Sequence, residues 1–138
     1  MTEQQNNTPK QVGIGLVGFG TVGTGVWETI KKNGELISDR SNNLFSVNIV
    51  KAAVRDISKK RIENAPADLF TTDWSEVVNN SEVDIVVELI GGTTTAFDIV
   101  AAALKLGKTV VTGNKALLAE RGAAVSYTHL TLPTIYSV

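Results

Sequence analysis

The chain contains no cysteine, so it has no disulfide and no thiolate metal site, which fits a cytoplasmic protein. Its 138 residues include no apolar run of 18 residues or more, so we expect no segment to span a membrane. Net charge is nearly absent as well, because 13 basic residues offset 14 acidic ones. This balance gives no broad attraction to nucleic acid or to anionic lipid.

The N-terminal segment has few apolar residues, and the whole chain has few histidines. Residues 1–11 are polar throughout, so we expect a disordered tail there and no secretory signal. His129 is the only histidine, and its neighbours in sequence offer neither a Ser–Asp pair nor a second ligand. We therefore assign His129 no role and expect no metal site.

The rest of the sequence alternates between strand-like and helical stretches, with 43% hydrophobic residues, as is ordinary for one globular domain. Strands are predicted at 12–17, 45–54, 68–71, 84–90 and 109–112. The alternation predicts an α/β fold, a doubly wound parallel sheet of the Rossmann type. Ligands bind such sheets at the carboxyl ends of the strands, so loops 18–22, 54–56 and 91–94 should meet the ligand.

The first predicted helix spans 21–32. Val22, Val26 and Ile30 follow one another at helical spacing and should share one face of it, and Asn33-Gly34 resembles a C-terminal stop. Further helices are predicted at 74–78, 96–104 and 114–121.

Three glycines, Gly18, Gly20 and Gly23, stand between the first strand and this helix. In a dinucleotide-binding turn the first permits a tight bend, the second lets the backbone approach a pyrophosphate, and the third lets the helix pack closely. The pyrophosphate would meet unpaired N–H groups at the start of the helix, where the helix dipole favours negative charge. The alternative is a glycine-rich turn that binds nothing.

The end of the second strand bears on coenzyme choice. Arg55 suits a 2′-phosphate because a guanidinium is planar, always charged and bidentate, and Lys59 and Lys60 would add to the positive field. Asp56 keeps NAD possible, because an acidic residue here accepts the ribose 2′-hydroxyl in NAD sites. The sequence favours NADP, and a loop with purely solvated charges is the alternative.

Two charged residues lie on later strands or beside them. Glu88 falls inside the apolar strand 84–90, so it should find a hydrogen-bonding partner, and a structural role is favoured over catalysis. Lys115 follows the fifth strand at the ligand edge. It could contact the nicotinamide ribose or the substrate, or it could be a surface lysine at a helix start.

Three blocks of sequence closely resemble the N-terminal domain of homoserine dehydrogenase: VGIGLVGFGTVG at 12–23, DIVVELIGG at 84–92 and VVTGNKALLA at 110–119. The resemblance runs from about residue 11 to about residue 124. It implies the cofactor half of a two-domain enzyme. That enzyme interconverts L-homoserine and L-aspartate 4-semialdehyde with NAD(P), a cytoplasmic step toward threonine and methionine.

The resemblance also implies roles for particular residues. Backbone groups of the glycine turn would hold the pyrophosphate, Arg55 would meet the 2′-phosphate, and Lys115 would lie near the nicotinamide and the substrate as the one catalytic candidate. The complete expected site is Gly18, Phe19, Gly20, Thr21, Val22, Gly23, Arg55, Gly92, Thr93 and Lys115. Gly113 departs from the family, which more often has alanine there, and this small change puts little in doubt.

The expected domain organisation is a tail at 1–11, an NAD(P)-binding domain at 12–125 and a segment at 126–138 without a counterpart in the family. That segment resembles a translated sequencing adapter, so we expect it to be foreign to the natural protein, with a genuine strand as the alternative.

The substrate domain, which in the family supplies the acid and base groups and much of the dimer interface, should be absent. We therefore expect cofactor binding without turnover, and a homo-oligomer only when that domain is present. Another two-domain NAD(P)-dependent oxidoreductase and a non-catalytic dinucleotide sensor are the alternatives.

Overall fold

A computed structural model describes residues 8–59, 61–63, 65–128 and 135–137. Its strands are β1 Lys10–Val17, β2 Phe45–Ala53, β3 Phe70–Thr71, β4 Ile85–Glu88, β5 Thr109–Thr112 and β6 Ile135–Ser137. Its helices are α1 Thr21–Arg40, α2 Trp74–Val78, α3 Thr94–Lys105 and α4 Lys115–Thr128. All strand pairs are parallel, in the order β3-β2-β1-β4-β5-β6. The predicted fold class is confirmed, and the strand order reverses between β1 and β4.

Helices cover the sheet on both faces because successive strand residues point to opposite sides. Leu16 belongs to a buried cluster that includes Trp27 of α1. The next residue, Val17, belongs to a second cluster with Ile99 of α3 and Leu117 of α4. Among the described helices, none has the length and apolar character needed to cross a membrane.

Helix α1 differs from its prediction in length and in facing. It continues through Gly34 to Arg40, and the amide of Ser41, the next residue, donates to the Ile37 and Ser38 carbonyls. One glycine inside a helix costs only about 1 kcal/mol, so Gly34 does not stop it. The face that packs on the sheet centres on Gly23 and Trp27, and the side chain of Val22, which opens the apolar spacing of the sequence, is 63% exposed.

Replacing Gly34 with alanine should raise the free energy of unfolding by about 0.5–1 kcal/mol. A Cβ at this position meets no described atom within 4 Å, so only the entropy of the unfolded chain changes. Urea unfolding of both proteins measures the difference. Gly107→Ala is the control and should destabilise, because Gly107 has a φ of +76°. A loss of stability in Gly34→Ala would contradict the expectation.

Both predicted terminal segments differ in part from the structure. Strand β1 begins at Lys10 and pairs Lys10 with Phe45, so the predicted tail is wrong for residues 10–11, and residues 1–7 lie outside the described part. Residues 126–128 belong to α4, and residues 135–137 pair with β5. The strand alternative rested on the alternation at 128–132, of which Thr128 ends α4 and residues 129–132 lie outside the described part. His129 lies outside the described residues.

Strands β2, β3 and β4 are shorter than predicted. Val54, Asp68 and Ile90 fall outside their ladders. Val54 and Ile90 instead take part in the loops that form the site described below.

Candidate functional site

A cleft of about 1180 Å³ opens at the carboxyl edge of the sheet, where strand order reverses. The turn after β1, the loop after β2 and the loop after β4 all line it, so the structure brings the three predicted loops together. The lining residues outside these loops come from the last residues of β1 and β2, from α1 and α3, and from the connection after β3 with the start of α2: Val17, Ala53, Thr24, Gly25, Glu28, Thr95, Ile99, Thr72 and Trp74.

Two of the three motif glycines are required by the protein's own geometry. Gly18 has a φ of +105°, which L side chains rarely adopt, and its N–H donates to the Ala53 carbonyl at 3.0 Å. At Gly23 a Cβ would lie 2.6 Å from the Gly18 carbonyl oxygen. The start of α1 therefore packs directly against the turn, as the motif predicts.

The remaining motif glycine, Gly20, has no such internal reason. Its φ of −86° is outside the left-handed region, and a Cβ there would meet no described atom within 4 Å. Gly20 is the N-cap of α1, lines the cleft and makes no side-chain cap. The first-turn amides, which lack partners within the helix, are thus left accessible from the cleft. This geometry fits a pyrophosphate.

The aromatic side chain of Phe19 forms part of the floor beneath this turn. It is only 6% exposed and packs edge-on against Trp27, at 6.5 Å between ring centroids, and Phe70, at 5.1 Å. Because the ring is buried in the core, the backbone of Phe19 is the part left to face the cleft.

The loop after β2 gives the cleft a positive wall. Arg55, Lys59 and Arg61 all line the cleft, and Arg55 and Lys59 are exposed. Arg61 also holds the loop: Nη1 donates to the carbonyls of Asp56 at 2.6 Å and Lys59 at 2.8 Å, and its guanidinium lies 5.8 Å from the Phe70 ring centroid. Lys60 lies outside the described residues.

The single acidic side chain of this wall, Asp56, is hydrogen-bonded within its own loop. Its Oδ1 accepts from the Ser58 amide at 2.9 Å and from the Ser58 hydroxyl at 2.6 Å. The bond from the Ser58 hydroxyl, and to a lesser extent the bond from the Ser58 amide, hold the pKa of the Asp56 carboxyl below its ordinary value of 3.8. The carboxylate is therefore charged and oriented at neutral pH.

Glu88 is fully buried at the end of β4, and its carboxylate accepts hydrogen bonds, as a buried charged group requires. One carboxylate oxygen accepts from the Ile90 amide at 3.2 Å, and the other accepts from the Thr112 hydroxyl of β5 at 2.5 Å. These contacts confirm the predicted structural role. They fix where the loop after β4 leaves the sheet.

Asn114 extends this network to the start of α4. Its Oδ1 accepts from the Leu117 amide at 3.0 Å as a helix cap, and its Nδ2 donates to the Gly92 carbonyl at 2.5 Å. Its own amide donates to Thr112 Oγ1 at 3.0 Å. The loop after β4 and the first turn of α4 are therefore held together by one asparagine.

The predicted site residues fall into two groups. Those lining the cleft are Gly18, Phe19, Gly20, Thr21 and Arg55. Gly23 is buried under the turn and Val22 points outward. Gly92, Thr93 and Lys115 lie at the same edge of the sheet but do not line the cleft. From the loop after β4, Gly91 lines the cleft and Gly92 does not, and Lys115 is exposed. A role in cofactor binding stays a prediction for all ten residues.

Some lining residues were not predicted. Thr24, Gly25 and Glu28 follow Thr21 at helical spacing, so they lie on one face of α1. The same periodicity that predicts the apolar face of this helix therefore also indicates this polar one. No local signal marks Trp74, because only the position of β3 beside β2 brings the start of α2 to the cleft.

Comparison with known proteins agrees with this geometry. The sequence model for the homoserine dehydrogenase NAD-binding domain matches residues 18–127. The homoserine dehydrogenase of Corynebacterium glutamicum is 45% identical over 115 residues, which cover 83% of this chain and 25% of that protein. The chain thus spans about a quarter of the length of such relatives.

Solved structures show the same relationship. The crystal structure of S. aureus homoserine dehydrogenase at pH 7.0 has a TM-score of 0.85 and 35% identity, covering 94% of this chain and 33% of that one. A hyperthermophilic archaeal homoserine dehydrogenase, solved in complex with NADPH, shares the fold at 20% identity and a TM-score of 0.70, covering 93% and 44%. The chain belongs to the homoserine dehydrogenase family, of which it carries the NAD-binding domain.

Proposed function

We propose that this chain binds NADP(H) in the cleft, as the cofactor-binding part of an enzyme that interconverts L-homoserine and L-aspartate 4-semialdehyde. The observation that carries the binding site is the open space at Gly20, where neither strain nor packing explains a glycine at the start of α1. The reaction itself is supported by membership of the family. We assign the substrate pocket to the part of the relatives' length that this chain does not span.

Each end of the coenzyme has residues suited to it. The amides at the start of α1 would hold the pyrophosphate, and Arg55 with Lys59 would hold the 2′-phosphate. Loop 91–93 and Lys115 would border the nicotinamide. When bound, the nicotinamide supplies the hydride-transfer chemistry, while the protein supplies position and electrostatics.

The charges on the cleft wall support NADP(H) over NAD(H). Arg55, Lys59 and Arg61 all line the cleft from one loop, and Asp56, the carboxylate of that loop that reaches the lining, is already hydrogen-bonded to Ser58. A 2′-phosphate would meet a net positive wall, whereas a ribose 2′-hydroxyl would find one oxygen of the Asp56 carboxylate already accepting two hydrogen bonds.

Replacing Arg55 with alanine should weaken NADPH binding by about 1–3 kcal/mol, because one charge-assisted contact to the 2′-phosphate is lost. NADH affinity should change less than about threefold, since NADH has no phosphate for Arg55 to contact. Isothermal titration calorimetry of the 138-residue chain with each nucleotide measures both changes.

Arg40→Ala provides the matched control for Arg55→Ala. Arg40 is an exposed arginine at the end of α1, away from the cleft lining, so its removal changes net charge equally without touching the site. Equal losses of NADPH affinity in the two variants, or equal losses for NADPH and NADH in Arg55→Ala, would contradict the proposed assignment.

A further inference from the structure

The hydrogen bonds of Asp56 have a consequence for coenzyme selection. An NAD site needs a carboxylate that accepts the ribose 2′-hydroxyl, and the same carboxylate repels a 2′-phosphate. In this loop the Ser58 amide and hydroxyl both donate to one oxygen of Asp56, at 2.9 and 2.6 Å. Two donors on a single oxygen restrict the rotamer of the side chain and hold that oxygen beside Ser58.

We propose that Ser58 is a positioning residue that sets coenzyme preference, by holding the Asp56 carboxylate within its loop and leaving the ribose 2′ position to Arg55 and Lys59. The proposal rests on the proposed NADP(H) site and deepens it. Ser58 acts through Asp56, since Ser58 is not on the lining of the cleft, whereas Asp56, Arg55 and Lys59 are.

A second set of contacts keeps the loop in place independently of Ser58. Arg61 donates to the backbone carbonyls of Asp56 and Lys59 and packs over Phe70, whose ring contacts Phe19 in the core. Loss of the Ser58 hydroxyl therefore leaves Asp56 Oδ1 with one donor, the Ser58 amide, in place of two, without releasing the loop backbone. The effect of removing that hydroxyl should fall on the orientation of the carboxylate.

The test is calorimetric titration of Ser58→Ala with NADPH and with NADH. We expect NADPH affinity to fall about tenfold and NADH affinity to rise severalfold, because a carboxylate held by one donor in place of two can turn to oppose the phosphate and accept the 2′-hydroxyl. In Ser58→Ala/Asp56→Asn the charge is gone, so NADPH affinity should return to within about threefold of the wild type.

Ser75→Ala is the matched control. Ser75 donates its amide and its hydroxyl to Asp73 Oδ1 at 2.9 and 2.6 Å, the same geometry, but neither residue lines the cleft. Its nucleotide affinities should equal those of the wild type. Carbon-detected NMR should show the pKa of Asp56 rising toward 3.8 in Ser58→Ala only, which tests the hydrogen bond itself.

The outcomes separate this proposal from the proposed function. If the wild type prefers NADPH but the double variant stays as weak as Ser58→Ala, then Ser58 contacts the phosphate directly and the positioning role is overturned. It is also overturned if Ser58→Ala leaves both affinities unchanged. If the wild type binds neither nucleotide, the proposed function fails, and the positioning role fails with it.

Discussion

Gly20→Ala is expected to weaken NADPH binding about a hundredfold, or ~2.7 kcal/mol, while leaving the protein folded. The new Cβ meets no described protein atom within 4 Å, so it can collide only with a ligand held against the amides of α1. Exchange of glycine for alanine at an N-cap costs about 1 kcal/mol of unfolding free energy. Calorimetric titration and urea unfolding separate the two quantities.

Gly23→Ala provides the opposite pattern within the same motif. Its Cβ would lie 2.6 Å from the carbonyl oxygen of Gly18, and backbone on both sides leaves little room for adjustment. We expect a loss of about 3 kcal/mol in unfolding free energy, more than the roughly 1 kcal/mol that alanine gains in a helix. If Gly20→Ala binds NADPH normally, the pyrophosphate does not lie at this turn.

Thr112→Val is expected to lower the free energy of unfolding by about 3 kcal/mol, although valine has nearly the same shape as threonine. The hydroxyl of Thr112 donates to the fully buried carboxylate of Glu88 and accepts from the Asn114 amide. Valine leaves one oxygen of a buried carboxylate without its donor, and such a group costs more than a neutral one. Urea unfolding measures the loss.

Thr112→Ser keeps both hydrogen bonds and removes only a methyl group, so it should lose about 1 kcal/mol or less. Restored stability in Thr112→Ser identifies the hydroxyl, and not packing, as the source of the effect. If the valine and serine variants are equally stable, the Glu88 network contributes little and the expectation is wrong.

Local patterns in the sequence were enough to predict the sheet and its ligand edge. The apolar run around Val86 and the glycine turn each carry their own periodicity or turn chemistry, so no distant contact is needed to identify them. The buried Glu88 was also predictable, because a carboxylate between apolar neighbours must find donors. Its actual donor, Thr112, comes from a neighbouring strand.

The misplaced features depend on contacts distant in sequence. Gly34 looked like a helix stop because its local preference is that of a C-cap, but α1 continues through it to Arg40. Val22 had helical spacing with Val26, yet packing against the turn after β1 rotated the helix toward Gly23. The bond from Ser58 to Asp56 is local, but which way that carboxylate faces relative to the cleft depends on how the loop folds.

The floor of the cleft also gives the molecule an optical reporter. The sequence contains two tryptophans, of which Trp74 lines the cleft and Trp27 packs against Phe19 under the glycine turn. Their intrinsic emission should therefore respond to occupancy without any attached dye. Replacing Trp74 or Trp27 singly with phenylalanine would separate the emission change of the tryptophan in the cleft lining from that of the tryptophan beneath the glycine turn.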